Sequence, residues 1–185
     1  MARIHILSAT DRPNSNALKV SRYSEQFLSE KATTEIFSLR DFPIEDIVGG
    51  KYNDKPESVE QFNVKFLDAD GFVFVIPEYN GGFPGILKLF YDYLPFPKAF
   101  NKAPICLIGE AAGAFGALRP VEQFSQLLIY RQAHIFPERM FIQRVNDTFD
   151  EENGLLSEKM QKLWEKQLKG FPDFVEKIST ELVKA

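Results

Sequence analysis

The segment from Gly71 to Leu94 constrains the fold more than any other part of the chain. It opens with an apolar run over 72–76, whose β-branched and aromatic side chains are typical of a strand buried on both faces of a parallel sheet. Pro77 ends that strand, because proline lacks the amide proton that a ladder hydrogen bond requires. After a polar loop over 78–82, apolar residues return at helical spacing from Ile86 onward. Strand, loop and helix form half of a βαβ unit, and ligands bind at such loops.

Strand and helix patterns alternate in this way along the whole chain. Strands are expected at 4–8, 34–39, 72–76 and 104–109, with short strand material at 133–136 and 141–145. Helices are expected at 17–28, 59–66, 86–94, 120–132 and 155–183, the last interrupted near Gly170 and Pro172. Residues 147–154 are expected to form an acidic turn. The pattern predicts an α/β fold: a flavodoxin-like, doubly wound, five-stranded parallel sheet with helices on both faces. With neither repeat nor linker, residues 1–185 are expected to be a single domain.

Composition excludes several function classes. A formal net charge of −4 argues against a nucleic-acid partner, which needs a basic face. The single cysteine, Cys106, lies in an apolar run, so it is expected to be a buried, inert thiol in a reducing compartment. Met1 is followed at once by a strand pattern, and no apolar run reaches membrane-spanning length. We therefore expect a cytoplasmic protein with no membrane partner.

Polar residues follow the first predicted strand, in the first loop (residues 10–16). Thr10, Asn14, Ser15 and Asn16 offer hydroxyl and amide groups, and Arg12 offers a guanidinium, at the start of a helix. Free amides at a helix amino terminus and a forked guanidinium together suit a phosphate monoester. The alternative is a helix-capping loop that carries a surface arginine.

Two further loops follow the third and fourth strands. The second loop (residues 78–82) offers the flat ring of Tyr79, the amide of Asn80, and glycines that let backbone approach a planar ligand. Read alone, it could be an ordinary turn. The third loop (residues 109–116) is rich in glycine, but it lacks the G-x-G-x-x-G spacing and a Walker lysine. In a parallel sheet all three loops converge on one edge.

Other chemistries find little support in the sequence. His5 and His134 have no cysteine or carboxylate at metal-ligand spacing, so no metal site is predicted, and His5 is expected to be a core side chain. The chain has no G-x-S-x-G nucleophile elbow.

Residues 77–88, PEYNGGFPGILK, resemble the PEYNxxxPGxLK signature of the NADPH-dependent FMN reductases, flavodoxin-like enzymes that include quinone, chromate and azo-dye reductases. The first loop is similar to the phosphate loop of that family, and residues 109–119 are similar to its third loop. Four positions depart from the family pattern. Ala9 and Thr10 stand where the family has glycine and serine, Tyr93 replaces a tryptophan, and Glu110 replaces a small residue.

The resemblance assigns roles to individual residues. It implies that the FMN phosphate is held by Thr10, Arg12, Ser15 and Asn16. It implies that the isoalloxazine is bordered, largely through backbone, by Pro77, Glu78, Tyr79, Asn80 and Gly81. On the pyrimidine side of the ring it places Glu110, Ala111 and Gly113. Because the flavin performs the hydride chemistry, no catalytic side chain is expected.

The implied function is that of an NAD(P)H-dependent FMN oxidoreductase, a single flavodoxin-like FMN-binding domain. A hydride passes from NADPH or NADH to FMN, and electrons then pass to a small-molecule acceptor such as a quinone. A homodimer or homotetramer is expected, with an aromatic interface around Phe83, Phe90, Tyr91 and Phe115.

Two alternatives remain open on the same fold: a flavodoxin-type electron carrier, and a binding protein without FMN, for which Glu110 is the hint. Glu110 itself either lies near the reduced ring and disfavours reduction, or points to solvent or pairs with a cation.

Overall fold

The computed structural model describes residues 1–184, and the side chains of residues 1–180. The strands of the main sheet are β1 (Ala2–Ser8), β2 (Ala32–Ser38), β3 (Gly71–Pro77), β4 (Pro104–Glu110), β5 (His134–Ile135) and β6 (Met140–Ile142). The helices are α1 (Asn16–Leu28), α2 (Glu57–Leu67), α3 (Gly85–Asp92), α4 (Leu118–Tyr130), α5 (Val145–Thr148) and α6 (Glu158–Lys184), with one 3₁₀ turn at Ile44–Ile47.

The main sheet is parallel, in the order β2-β1-β3-β4-β5. The predicted flavodoxin-like sheet with helices on both faces is therefore confirmed. The fifth strand is interrupted: β5 pairs with the start of β4 and β6 with its end, separated by residues 136–139. From β1 the strand order runs to β2 on one side and to β3 on the other. This reversal is a topological switch point, the usual ligand position in open α/β sheets.

The centre of the sheet is apolar on both faces. All seven residues of β3 are buried, as its continuous apolar run predicted. One face packs against α2, α3 and α4, in a core in which Phe66 contacts several other phenylalanine rings. The other face packs against α1 and α6, around the fully buried Trp164.

Burial corrects part of the interface prediction. Phe90 and Tyr91 are 0% and 5% exposed and lie in the core beneath α3, so they cannot form an interface patch. Phe115 is 55% exposed, and Phe83 packs partly against the same core. The sequence identified all four as aromatic side chains but could not show which of them the chain's own core covers.

The predicted interruption of the last helix near Gly170 and Pro172 is wrong, because α6 runs through both residues. A proline inside a helix costs about 3 kcal/mol through its missing hydrogen bond and a steric clash. Phe171 and Val175, on either side of it, are both fully buried against the sheet. Burying two large apolar side chains recovers about the same free energy, so packing keeps the helix continuous.

The acidic turn expected over 147–154 is instead α5 followed by a hairpin of two short strands, β7 (Phe149–Asp150) and β8 (Gly154–Leu155). The carboxylate of Asp150 accepts hydrogen bonds from the backbone amides of Glu152 and Asn153 at 3.0 and 2.8 Å, which closes the hairpin. The resulting α5 brings residues near 146 back to the main sheet.

Two single residues behave as the sequence predicted. His5 is buried, with Nδ1 2.8 Å from the carbonyl oxygen of Phe66. Cys106 is fully buried, and that burial raises the pKa of its thiol well above the ordinary value. Along residues 1–184, no helix combines the length and apolar composition that crossing a membrane requires.

Candidate functional site

A cleft of about 440 Å³ opens at the carboxyl ends of β1, β3 and β4. Its volume falls within the range of small-molecule sites. The first loop, the second loop and the start of the third loop line it, and Asn146 of α5 completes the wall. The convergence of the three loops that the sequence predicted is therefore observed.

The first loop presents the amino terminus of α1 to the cleft. Ser15 is the N-cap, and its Oγ accepts a hydrogen bond from the amide of Leu18 at 3.1 Å, which leaves the hydroxyl proton free to donate. The side-chain amide of Asn16 donates to Oδ1 of Asn146 at 2.7 Å. The first amides of a helix have no partner within the helix, so this terminus is suited to an anion.

Thr10 occupies a different position from the one the resemblance implies. Its side chain is fully buried and does not line the cleft. Its hydroxyl lies 2.6 Å from the hydroxyl of Tyr79 and accepts a hydrogen bond from the amide of Arg12 at 3.3 Å. Thr10 therefore joins the first loop to the second.

The second loop is a tight hairpin turn. Tyr79 and Gly82 exchange backbone hydrogen bonds of 2.9 and 3.1 Å around Asn80 and Gly81, whose φ angles are 52° and 81°. Positive φ at both central residues defines a type I′ turn, for which Asn-Gly is the favoured pair. Gly81 is thus required by the backbone conformation of the turn and does not itself line the cleft.

This turn holds the ring of Tyr79 at the cleft, with the guanidinium carbon of Arg12 4.1 Å from the ring centroid. Burial raises the pKa of Tyr79, and the hydrogen bond with Thr10 and the charge of Arg12 partly oppose that rise. Tyr79 is consequently a neutral, flat surface at neutral pH.

Glu78 links the second loop to the third. Its backbone amide donates to the carbonyl oxygen of Glu110 at 3.1 Å, and its carboxylate lies 3.7 Å from the guanidinium of Arg119. The same guanidinium lies over the ring of Phe115, 4.6 Å from the centroid. The sequence analysis gave no role to Arg119, which reaches the site from the start of α4.

The glycines of the third loop serve close packing. A Cβ at Gly109 would lie 2.5 Å from the carbonyl oxygen of Gly116, and one at Gly116 would lie 2.7 Å from the backbone of Phe141. The carbonyl of Gly113 accepts from the amide of Arg144 at 2.9 Å, outside the cleft lining. These contacts explain why the glycine spacing matches no phosphate-binding motif.

Glu110 is the unexpected feature of the cleft. It is 5% exposed, and the backbone amide of Ala17, in the first turn of α1, lies near its carboxyl group and lowers its pKa slightly. Burial raises the pKa of Glu110 to about 7. No ion pair to Glu110 exists among residues 1–180, so the expectation that it points to solvent or pairs with a cation is wrong.

Most of the predicted residues meet in the cleft. Those that line it are Arg12, Ser15, Asn16, Pro77, Glu78, Tyr79, Asn80, Glu110 and Ala111. Those that do not are Thr10, Gly81 and Gly113. Asn146 was missed, because it follows the last strand of the main sheet and no periodic pattern or motif marks it.

A second groove, of about 490 Å³, lies beside β6 and the β7–β8 hairpin. Its lining is apolar or uncharged, contributed by residues such as Met140, Ile142, Leu156 and Met160. Within the described part of the chain, no three His, Cys, Asp or Glu side chains are grouped as a metal site. Because charged and polar groups converge only at the first of these two cavities, that cleft is the candidate site.

Comparisons with known proteins show what the chain is similar to. Residues 2–147 match the NADPH-dependent FMN reductase family, a span that includes all three loops. An NAD(P)H-dependent FMN reductase of Pseudomonas aeruginosa is 32% identical over 127 residues, covering 66% of this chain and 68% of that protein. A quinone reductase of Escherichia coli is 30% identical over 108 residues, 57% of each chain. The structure of FerB, a flavoenzyme NAD(P)H:acceptor oxidoreductase of Paracoccus denitrificans, superposes with a TM-score of 0.79 at 21% identity, covering 96% of this chain and 98% of that one.

The burial of Glu110 predicts a pH-dependent stability. Its pKa is about 7 in the folded chain against 4.5 as the ordinary value, so the native state holds the proton more tightly than the unfolded state does. Stability is lost as pH rises from about 5 to about 7, because the unfolded chain ionises first. Flavin-free wild type should therefore lose roughly 2 kcal/mol relative to Glu110→Gln between about pH 5 and about pH 7, measured by urea denaturation.

Glu60→Gln, at an exposed position of α2, is the matched control and should show no such trend. A stability difference between wild type and Glu110→Gln that stays constant with pH would contradict the burial of an unpaired carboxyl.

Proposed function

The chain belongs to the NADPH-dependent FMN reductase family, and we propose that the cleft is its flavin site. The protein is an oxidoreductase that uses FMN as cofactor and NADH or NADPH as electron donor. The observation that carries the site proposal is the convergence of an aromatic ring, a guanidinium and a helix amino terminus at the switch point of the sheet.

The phosphate end of the cleft lies at α1. Ser15 has a hydroxyl proton to donate, and the first amides of α1 point free donors and partial positive charge toward an anion. The exposed guanidinium of Arg12 adds a charged donor from the same loop. Asn16 is held in place by Asn146 and closes the side of the cleft. Thr10 supports this end indirectly, through its hydrogen bonds to the two loops.

The ring end of the cleft is lined by backbone and by one flat side chain. Residues 77–80, at the end of β3 and in the second loop, line it, and the Tyr79 ring is oriented by its hydrogen bond to Thr10. Ala111 and Ala112 line this end with small side chains, so a planar group has room there. When bound, FMN supplies the hydride chemistry, accepting from NAD(P)H and passing electrons to the acceptor. The chain's own residues bind, orient and shield it.

The two alternatives are weaker than this proposal. A flavodoxin-type carrier shares the fold, but the family that the chain matches is one of reductases. A protein without FMN is suggested only by the buried carboxyl of Glu110.

Several finer properties belong to the same proposal. We propose a small acceptor such as a quinone, since the E. coli relative is a quinone reductase. We propose one FMN-binding domain over residues 1–185, in the cytoplasm, with no nucleic-acid or membrane partner. We also propose a homodimer or homotetramer, supported by the exposed apolar side chains of Phe115 and Leu118 next to the cleft.

The function is tested by the visible spectrum of the purified protein. Chain incubated with FMN and desalted should retain flavin absorbance, at one FMN per chain, and the absorbance should bleach on addition of NADPH or NADH without air. A protein that stays colourless at micromolar FMN would contradict the proposal, and a bound flavin that neither nucleotide reduces would favour the electron carrier.

Arg12 tests the orientation of the flavin. Arg12→Ala should cost about 1.5–3 kcal/mol of FMN affinity, because it removes a charge-assisted hydrogen bond to phosphate. Riboflavin, which lacks the phosphate, should bind wild type and variant alike. Arg3→Ala removes an exposed arginine near the opposite end of β1, where it pairs with Asp68, and should change neither affinity. Equal FMN affinity in wild type and Arg12→Ala would make Arg12 a surface residue only.

The oligomer is tested by light scattering. The wild type should give a mass well above the 21.2 kDa of one chain, and Phe115→Ser should shift the distribution toward that value. Tyr52→Ser alters an exposed aromatic residue that lies outside the three loops, and it serves as the control. A mass of one chain at every concentration would refute the proposal.

A further inference from the structure

Glu110 faces α1 because of its place in β4. In this strand side chains alternate between the two faces of the sheet, and Ile108 lies in the core beneath α1 and α6. Glu110, two residues later, points to the same side. There it is 5% exposed, and its carboxyl group lies near the amide of Ala17.

Glu110 lines the same cleft as Ser15 and Asn16, at the amino terminus of α1. Ser15 accepts from the amide of Leu18, so the free donors of this terminus are the amides that precede Leu18, and the amide of Ala17 lies near the Glu110 carboxyl. A carboxylate and a phosphate next to one helix terminus repel each other and compete for the same amides.

Other charges near the cleft do not neutralise Glu110. The titratable or charged groups on the elements around it are Asp11 and Arg12 on the first loop, Lys19 on α1, Glu78 and Tyr79 on the second loop, and Arg144 before α5. Glu78 is paired with Arg119, and Arg12 lies over the Tyr79 ring. No ion pair among residues 1–180 includes Glu110, so protonation is the remaining way to remove its charge.

We propose that Glu110 is a specificity-determining residue that discriminates against the flavin phosphate. When it is charged it opposes the phosphate at α1, and when it is protonated it lets the phosphate bind. FMN binding therefore takes up a proton from solvent, approaching one per FMN as the pH rises above neutrality, whereas riboflavin binding takes up none. This inference rests on the proposed flavin site and adds a pH-dependent choice between the two flavins. Burial raises the pKa of Glu110 to about 7, which places the transition near neutrality.

The test is the ratio of the FMN and riboflavin dissociation constants in desalted protein, measured by flavin fluorescence from about pH 6 to about pH 8.5. In wild type the FMN dissociation constant should rise toward about tenfold per pH unit above about pH 7, because a proton is bound with the ligand. The riboflavin constant should change less than about twofold, since it has no phosphate to be repelled. In Glu110→Gln the FMN constant should not rise with pH, because the charge is gone.

Each outcome bears on a separate claim. A wild-type ratio that stays flat with pH, while both flavins bind, overturns the role of Glu110 and leaves the flavin site intact. Failure of both proteins to bind either flavin overturns the proposed site, and this inference with it. If Glu110→Gln does not fold, the wild-type ratio alone decides, since riboflavin is the internal control for general effects of pH.

Discussion

The parallel pairing of β3 with both β1 and β4 is the constraint on which the site depends. It brings the carboxyl ends of three strands to one edge, and with them three loops that are far apart in sequence. The register places Pro77 beside Glu110, so the second and third loops begin at the same level. The cleft is therefore a consequence of sheet packing, and the burial of β3 on both faces stabilises it.

Within this frame, hydroxyl and backbone contacts set the positions of the cleft residues. The Thr10–Tyr79 hydrogen bond joins two loops across the switch point, and the Asn80–Gly81 turn holds Tyr79 in place. Glu110 destabilises this arrangement, because burying an unpaired carboxyl beside a proposed anion site carries a desolvation cost. Such a cost is typical of positions where selectivity is set at the expense of stability.

Hydrophobic periodicity predicted the strands and helices whose burial is evident from their own apolar residues. The apolar run of β3 and the amphipathic α1 are local features that one stretch of sequence contains. The continuity of α6 through Pro172 was not predictable, because it depends on how Phe171 and Val175 meet a sheet built from other segments.

The same distinction applies to the site. Loop convergence followed from topology, and the resemblance selected nine residues that line the cleft. Contacts between distant segments determine that Thr10 is buried, that Glu110 faces α1 and that Asn146 lies at the cleft. Sequence spacing alone carries no information on those contacts.

The central claim is that the cleft holds FMN with its phosphate at α1, and a crystal structure of the chain with FMN tests it most directly. We expect phosphate oxygens within hydrogen-bond distance of Ser15 and the first amides of α1, with the flavin ring against the second loop. A flavin bound in the apolar groove beside β6, or a phosphate bound away from α1, would contradict it.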